Sequence, residues 1–314
     1  MQIFYDLDKI ERDENTVITL GTFDGIHLGH KKILEKFVEK ANGINGRNLL
    51  VTFSPHPRSV LVKDKNVRLL STLNEKIPIL ESLGVLNLLI VNFTKEFSEK
   101  TSLEFVKEYF VDKIGVKEIV IGYDHHFGKG RDGNFEALSK MGKELDFKVS
   151  MVEAVRVDDI TVSSTKIRDA LSDGNISLAN KLLGRRYSFS GIVVEGDKRG
   201  RELGFPTANI ENFGNDKFLP AIGIYLVEII VESKNHYGLM SIGRRPTFYE
   251  WGDVTTEVYI LDFSKDIYGE KVTVNIIERI RDEEKFSTVE ALIKQIKDDE
   301  LKGREIINKI HQKK

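Results

Sequence analysis

Residues 17–30 read VITLGTFDGIHLGH, and this stretch decides the fold of the first half of the chain. A β-branched apolar run stops at a glycine turn. His-Leu-Gly-His then leads into a charged, amphipathic run. That is the pattern of strand, turn and helix. A helix start carries unpaired backbone N–H donors and a partial positive charge, which suits an anion such as a phosphate. His27 and His30 stand three apart, so at helical spacing they share a face, and Gly29 removes the side chain between them. Three readings fit: a plain helix cap, a metal-binding pair, and two imidazoles that donate to nucleotide phosphates. No third metal ligand stands nearby in the sequence, and a helix start favours an anion.

Outward from this stretch the same alternation repeats. Short runs rich in Val, Ile and Leu fall at 17–21, 48–53, 85–93, 117–122 and 148–153; helical spacing falls at 30–41, 74–83, 101–113 and 134–145. Strand–helix alternation predicts βαβ units, a parallel sheet and helices on both faces. Ligands of such sheets sit at the carboxyl ends of the strands. Residues 21–30, 54–57 and 122–133 each follow a strand directly and are expected to converge there. Two short helical pieces follow, TKIRDALSDG (165–174) and NISLANKLLG (175–184), with Asp173-Gly174-Asn175 as cap and turn. Ser163, Ser164 and Thr165 precede the first piece; they suit an N-cap and equally a second anion cradle. Arg168, one turn on, suits the same phosphates.

After Gly184 the texture changes. Runs rich in Val, Ile and Tyr at 187–195, 222–232, 236–242, 254–263 and 271–280 predict a compact β-barrel or sandwich. Residues 287–310 return to helical spacing and are expected to cover it, with Ser287 and Glu290 as a capping box. The boundary is expected at 184–187, giving domains 1–184 and 185–314. Within the second, residues 191–209 carry Gly196, Gly200 and Gly204 with Lys198, Arg199 and Arg201 between them. Small and basic residues suit close approach to phosphate, and equally a surface hairpin. No GxxxxGK[ST] sequence is present.

Composition bounds the rest. The chain has 314 residues, 47 Lys and Arg against 49 Asp and Glu, and no cysteine. The net charge of −2 gives no pull toward nucleic acid or anionic lipid. Disulfides, thiolate metal sites and cysteine nucleophiles are excluded. No apolar run reaches the roughly 18 residues of a membrane span, and the first residues do not resemble a signal peptide. A cytoplasmic protein is expected, with no nucleic acid, no membrane and no obligatory protein partner.

The ordered motifs of the first half resemble the HxGH nucleotidyltransferase superfamily and, more narrowly, bacterial FAD synthetases. GTFDGIHLGH (21–30) looks like their opening motif and TFSPHP (52–57) like their Phe-x-Pro-His-Pro turn. GYDHHFGKGRDG (122–133) looks like their flavin-side loop, and VSSTKIR (162–168) like their Ser-Ser-Thr-x-x-Arg motif. The resemblance implies a Rossmann-like α/β domain that binds ATP through Gly21, Phe23, His27, Gly29, His30, Ser163, Ser164, Thr165 and Arg168. It implies flavin contacts at Pro55, Pro57, Asp124, Phe127 and Arg131, with His27, His30 and Arg168 stabilising the charge of adenylyl transfer. The family often has Asp/Asn-Phe-x-Phe-Gly in that loop; here His125 replaces the first aromatic and Phe127 is retained as a platform. His125 and His126 also read as plain loop histidines.

In the second half GRELGFPTAN (200–209) resembles the signature of riboflavin kinases. GRRPTF (243–248), TEVYILDF (256–263), DIYG (266–269) and Phe286 follow in the family's order. The resemblance implies a small antiparallel barrel of riboflavin-kinase type. Gly196, Gly200, Arg201, Gly204, Thr207 and Asn209 would bind ATP. Thr207 and Asn209 would hold its Mg²⁺, and Glu257 would be the general base. Residues 243–248 and Phe286 would border the flavin. Together the two halves imply an enzyme of flavin cofactor synthesis: riboflavin and ATP to FMN and ADP, then FMN and ATP to FAD and pyrophosphate. Riboflavin, FMN, FAD and ATP are the implied ligands. The alternatives are another HxGH nucleotidyltransferase and a non-catalytic flavin-binding regulator.

Overall fold

The structure, a computed structural model, describes residues 1–62, 67–196, 199–212, 216–244 and 254–312. The apolar runs of the first half form one parallel sheet. Its strands are β1 (Gln2–Phe4), β2 (Thr16–Leu20), β3 (Arg47–Ser54), β4 (Asn87–Asn92), β5 (Val116–Gly122) and β6 (Lys148–Val152). They lie in the order β1-β4-β3-β2-β5-β6, every pairing parallel. Every residue of β2 is buried, which is why its sequence is continuous rather than alternating. Alternation survives in which core each residue enters. Ile18 and Leu20 pack with Phe105, Phe110 and Leu138 on one face; Val17 packs with Leu34, Phe37 and Leu80 on the other. Each large side chain fully buried this way contributes about 1.5–3 kcal/mol.

Strand β1 was not expected. Three residues are too few to show a period, yet Gln2, Ile3 and Phe4 register with Asn87, Leu88 and Leu89 at the sheet edge. Helices Leu28–Gly43, Leu73–Ser82 and Phe135–Leu145 fall where helical spacing placed them. The run at 101–113 is different: one α turn, Ser102–Phe105, widens into a π-helix, Val106–Ile114.

The strand order carries the functional geometry. From β2 the chain steps outward through β3 to β4, then returns to lay β5 on the other side of β2. The β2–β5 pair is therefore the switch point, where a crevice opens at the carboxyl ends. Residues 21–30 and 122–133 leave those two ends.

The chain divides into two compact units, Met1–Ser164 and Thr165–Lys314. A small ladder, β7 (Arg156–Val157) with β8 (Ile160–Thr161), closes the first. The division falls ahead of the expected 184–187. The reason is packing: helix Ile176–Leu183 lies against barrel strands, so it and helix Ser164–Ser172 count with the barrel. The turn between them is as read: Gly174 has φ +70°, and the Asn175 side chain accepts from Leu178 N at 3.0 Å.

The second unit is a closed antiparallel barrel in the order β10-β13-β12-β11-β14-β9. Its strands are β9 (Tyr187–Val194), β10 (Thr207–Asn212), β11 (Gly223–Val231), β12 (Lys234–Arg244), β13 (Val254–Ile260) and β14 (Lys271–Arg281). Five were anticipated. Strand β10 was hidden in what read as the end of a glycine-rich loop. Helix Val289–Gln312 covers one side, with Ile307 buried against Leu226, Leu239, Leu261 and Ile280. Its cap is Thr288, whose Oγ1 accepts from Ala291 N at 3.2 Å, one residue later than the expected Ser287. Among the described residues no helix is long and apolar enough to cross a membrane.

Candidate active sites

The loop after β2 is held in an unusual backbone. Phe23 and Ile26 have φ of +45° and +38°, a region that costs free energy for such side chains. Both are buried, and remote groups hold the loop in place. Asp24 accepts from Leu70 N at 3.2 Å and Ser71 N at 3.1 Å, and Gly25 N donates to Ser71 Oγ at 3.0 Å. Ser164 Oγ donates to Asp24 O at 2.9 Å. Lys76 Nζ donates to Thr22 O at 2.9 Å from a buried position on helix Leu73–Ser82.

This scaffold delivers the two histidines. His27 caps helix Leu28–Gly43: its Nδ1 accepts from His30 N at 3.3 Å. The cap reading therefore holds, and in the neutral ring it leaves the proton on Nε2. The rings of His27 and His30 stack at 3.6 Å and 14°, and Phe23 meets His30 edge-on at 5.2 Å. A Cβ on Gly29 would lie 3.2 Å from the His27 ring, so glycine there makes the room. Parallel stacked rings do not aim two lone pairs at one ion. Among the described residues no group of three His, Cys, Asp or Glu could hold a metal. Burial first, and then the charges of His27, Lys76 and His125, hold the His30 imidazole well below the usual histidine range. His30 is thus neutral at pH 7 before any anion binds, and its buried Nδ1 has no hydrogen-bond partner among the described residues.

The loop after β5 sits beside them. A Cβ on Gly122 would lie 3.0 Å from Ile33 Cδ1 of the histidine-capped helix. Phe127 bridges to Gly133 through bonds of 3.0 and 2.9 Å, and its ring covers the Gly133 backbone. It is 9% exposed and packs on Phe105 at 6.0 Å, so it leaves a flavin little more than an edge. Asp124 and Arg131 are exposed on the same loop. Pro55 follows β3, and Pro57 opens helix Pro57–Leu61, capped by His56. Ser163 and Ser164 stand at the end of the first unit, and Thr165 and Arg168 follow on helix Ser164–Ser172.

In the barrel, register does the positioning. Thr207 and Asn209 are two apart on β10 and so share a face. Asn209 is registered directly opposite Glu257 on β13, and Thr207 Oγ1 donates to Glu257 Oε2 at 3.1 Å. A Cβ on Gly196 would collide with the Asn209 amide, and one on Gly200 with the Phe205 carbonyl. Gly196 and Gly200 thus bring backbone up to the Asn209 amide and the Thr207 hydroxyl, which with the Glu257 carboxylate are hard oxygen donors of the kind Mg²⁺ takes. Arg201 is exposed, and Gly204 takes φ +85°. Lys198, residues 245–248 and the side chains of Arg199 and Arg244 lie outside the described residues. Gly243 abuts the Glu283 carboxylate, and the Phe286 ring lies under the Arg281 guanidinium at 5.7 Å.

Lys76 and Asp24 were not anticipated as parts of the first site. Lys76 had a signal: it stands on the apolar stripe of Leu73, Ile77 and Leu80, where a solvated lysine does not belong. Asp24 had none, because its partners lie 46 and 47 residues away.

Known proteins give the same two-part division. The FAD synthetase family matches residues 9–166, and the riboflavin kinase family matches residues 183–307. A bifunctional riboflavin kinase/FMN adenylyltransferase of Listeria monocytogenes is 38% identical, over 95% of this chain and 94% of its own length. One from Bacillus subtilis is 37% identical over 92% of each. A crystal structure from Streptococcus pneumoniae, described as a macrolide-efflux protein, is 32% identical with a TM-score of 0.88, over 96% of this chain and 98% of that one. With both families matched in this order, and relatives aligned along nine-tenths of their length, the chain belongs to the bifunctional riboflavin kinase/FMN adenylyltransferase family.

Proposed function

We propose that the barrel's Thr207–Asn209–Glu257 face phosphorylates riboflavin and that the stacked His27–His30 pair serves adenylyl transfer to the resulting FMN. In the barrel, Glu257 takes the proton from the ribityl 5′-hydroxyl, which then attacks the γ-phosphorus of ATP; ADP leaves. Thr207 orients that carboxylate through its 3.1 Å hydrogen bond. Gly196, Gly200, Arg201 and Gly204 form the loop over the nucleotide. Thr207 and Asn209 would hold Mg²⁺, which when bound would offset the charge of the polyphosphate.

In the α/β unit an FMN phosphate oxygen attacks the α-phosphorus of a second ATP, and pyrophosphate leaves. No protein nucleophile is needed; alignment and charge stabilisation carry the rate. His27 and His30 donate to the nucleotide from the helix start, with Gly21, Phe23 and Gly29 shaping the approach. Ser163, Ser164, Thr165 and Arg168 bind the polyphosphate; Pro55, Pro57, Asp124, Phe127 and Arg131 border the flavin. The functional boundary accordingly lies near 184, later than the division by compactness. The protein is placed in the cytoplasm, acting on soluble flavins without nucleic acid, membrane or an obligatory protein partner.

One observation carries this reading: Asn209 and Glu257 in register with Thr207 bonded across, since a merely structural barrel has no use for three converging oxygens under a glycine loop. Chromatography of products from riboflavin and Mg-ATP tests it. FMN and then FAD are expected, and the absence of both sinks it.

A further inference from the structure

The first site contains an imidazole that neither the nucleotide motif nor the flavin motif uses. His125 stands on the loop after β5, where the resembled family has an aromatic ring. Its backbone N–H donates to Gly122 O at 3.2 Å, and its ring stacks on Phe127 at 5.7 Å and 29°. Phe127 is itself fixed, by the Gly133 bridge beneath it and by Phe105 behind it. The imidazole is therefore aimed by a rigid floor. Its Nε2 is buried and has no hydrogen-bond partner among the described residues. Leaving such a group unpaired costs free energy, so a native structure that keeps one calls for an explanation. Burial, followed by the charges of His126 and Arg131, pushes its pKa down to about 4. At pH 7 the ring is neutral and can donate from Nε2.

The position of the ring selects the partner. The same loop borders the flavin in the reading above, and Gly122 at its root abuts the histidine-capped helix. His125 also lies close enough to His30 to lower that ring's proton affinity. It thus stands where the flavin side and the nucleotide side meet. The atoms that meet there in the reaction are the phosphate of FMN and the α-phosphate it attacks. From this placement we infer that His125 is a substrate-recognition residue: its Nε2 donates to the phosphate of FMN and positions that group for attack. The inference rests on the loop's being the flavin side of the site.

Steady-state FAD formation by the full chain tests it, with FMN and ATP varied separately. His125→Phe and His125→Leu both remove the donor, and either suffices if the other fails to fold. Each is expected to raise KM for FMN about tenfold, the scale of a lost hydrogen bond to a charged group, with KM for ATP unchanged. His125→Gln, whose amide reaches the Nε2 position, is expected to recover most of the loss. Lumiflavin, which has the ring but no phosphate or ribityl chain, is expected to inhibit wild type and variants with one Ki. A KM for FMN that does not move, or a lumiflavin Ki that rises with it, overturns the proposal. If KM for ATP rises in place of that for FMN, the assignment of the loop to the flavin is itself wrong.

Discussion

In the barrel, three oxygen-bearing side chains share a face because strand register puts them there. In the α/β unit, two imidazoles share a face because a strained loop is tied down from distant parts of the chain. Thr207 and Asn209 need only β10's alternation, and Glu257 needs only its partner strand. The loop that carries His27 and His30 needs Ser71, Lys76 and Ser164, which lie 46 to 140 residues from the loop groups they bond. The barrel site inherits its precision from a closed ladder. The loop site is held by individual polar contacts, so it is open to damage at points that touch no substrate.

The largest effects separate the two regions outright. Glu257→Gln or Asn209→Ala is expected to lower FMN formation by about 10³-fold, within the range for a lost general base or an electrostatic contact. FAD formation from supplied FMN should stay near normal. His30→Ala should do the reverse, at about 10²–10³-fold. Chromatography of both products reads all three variants. One substitution that stops both steps in a folded protein would break the two-site division.

Next come variants that strike the loop's anchors rather than its chemistry. Asp24→Ala leaves Leu70 N and Ser71 N without their carboxylate in a buried place. It is expected to cost the first unit roughly 2–4 kcal/mol and adenylyl transfer about a hundredfold, the scale of a misplaced reacting group. Riboflavin phosphorylation should persist to the wild-type inactivation temperature while adenylyl transfer is lost at a lower one. A common shift of both would mean that the loop's anchoring is not a local property. Lys76→Met keeps the stem and removes the charge behind the loop. About a tenfold loss of FAD formation is expected, with riboflavin phosphorylation unchanged. Wild-type FAD formation in that variant would reduce Lys76 to packing.

The contrast between the regions also explains what the sequence disclosed. The parallel sheet, apart from β1, and three of its helices were legible because continuous Val/Ile/Leu runs and 3.6-residue spacing are local signals; the run at 101–113 widened into a π-helix instead. The barrel was legible except for β10, whose glycine-rich approach masked the start of a strand. Thr207 and Asn209 were therefore singled out only by the family resemblance, and it is strand register that sets Asn209 opposite Glu257. The histidine pair was legible as well, including the role of Gly29. The neutral state of His30 was not, because it depends on burial and on charges from two other segments, at Lys76 and His125, besides that of neighbouring His27. Phe127 read as an open platform; its burial comes from Phe105, a contact no local pattern announces.

The smallest effect is on stability against acid, and its sign follows from the two depressed imidazoles. In the unfolded chain a histidine titrates near 6.5, the ordinary value, while in the fold His125 titrates near 4 and His30 well below normal. As pH falls past 6.5, the unfolded state binds protons that the folded state refuses, so stability must fall with it. For His125 the loss continues until the folded ring also protonates near 4, and then levels off. Urea midpoints followed by far-UV circular dichroism should therefore decline from about pH 7 to about pH 4.5. His125→Phe should decline less steeply, because it has no proton to take up in either state. Equal slopes would mean that the ring is not held neutral by the fold. A shallower slope would tie the acid sensitivity of the loop site to one imidazole that bears no part of the sheet.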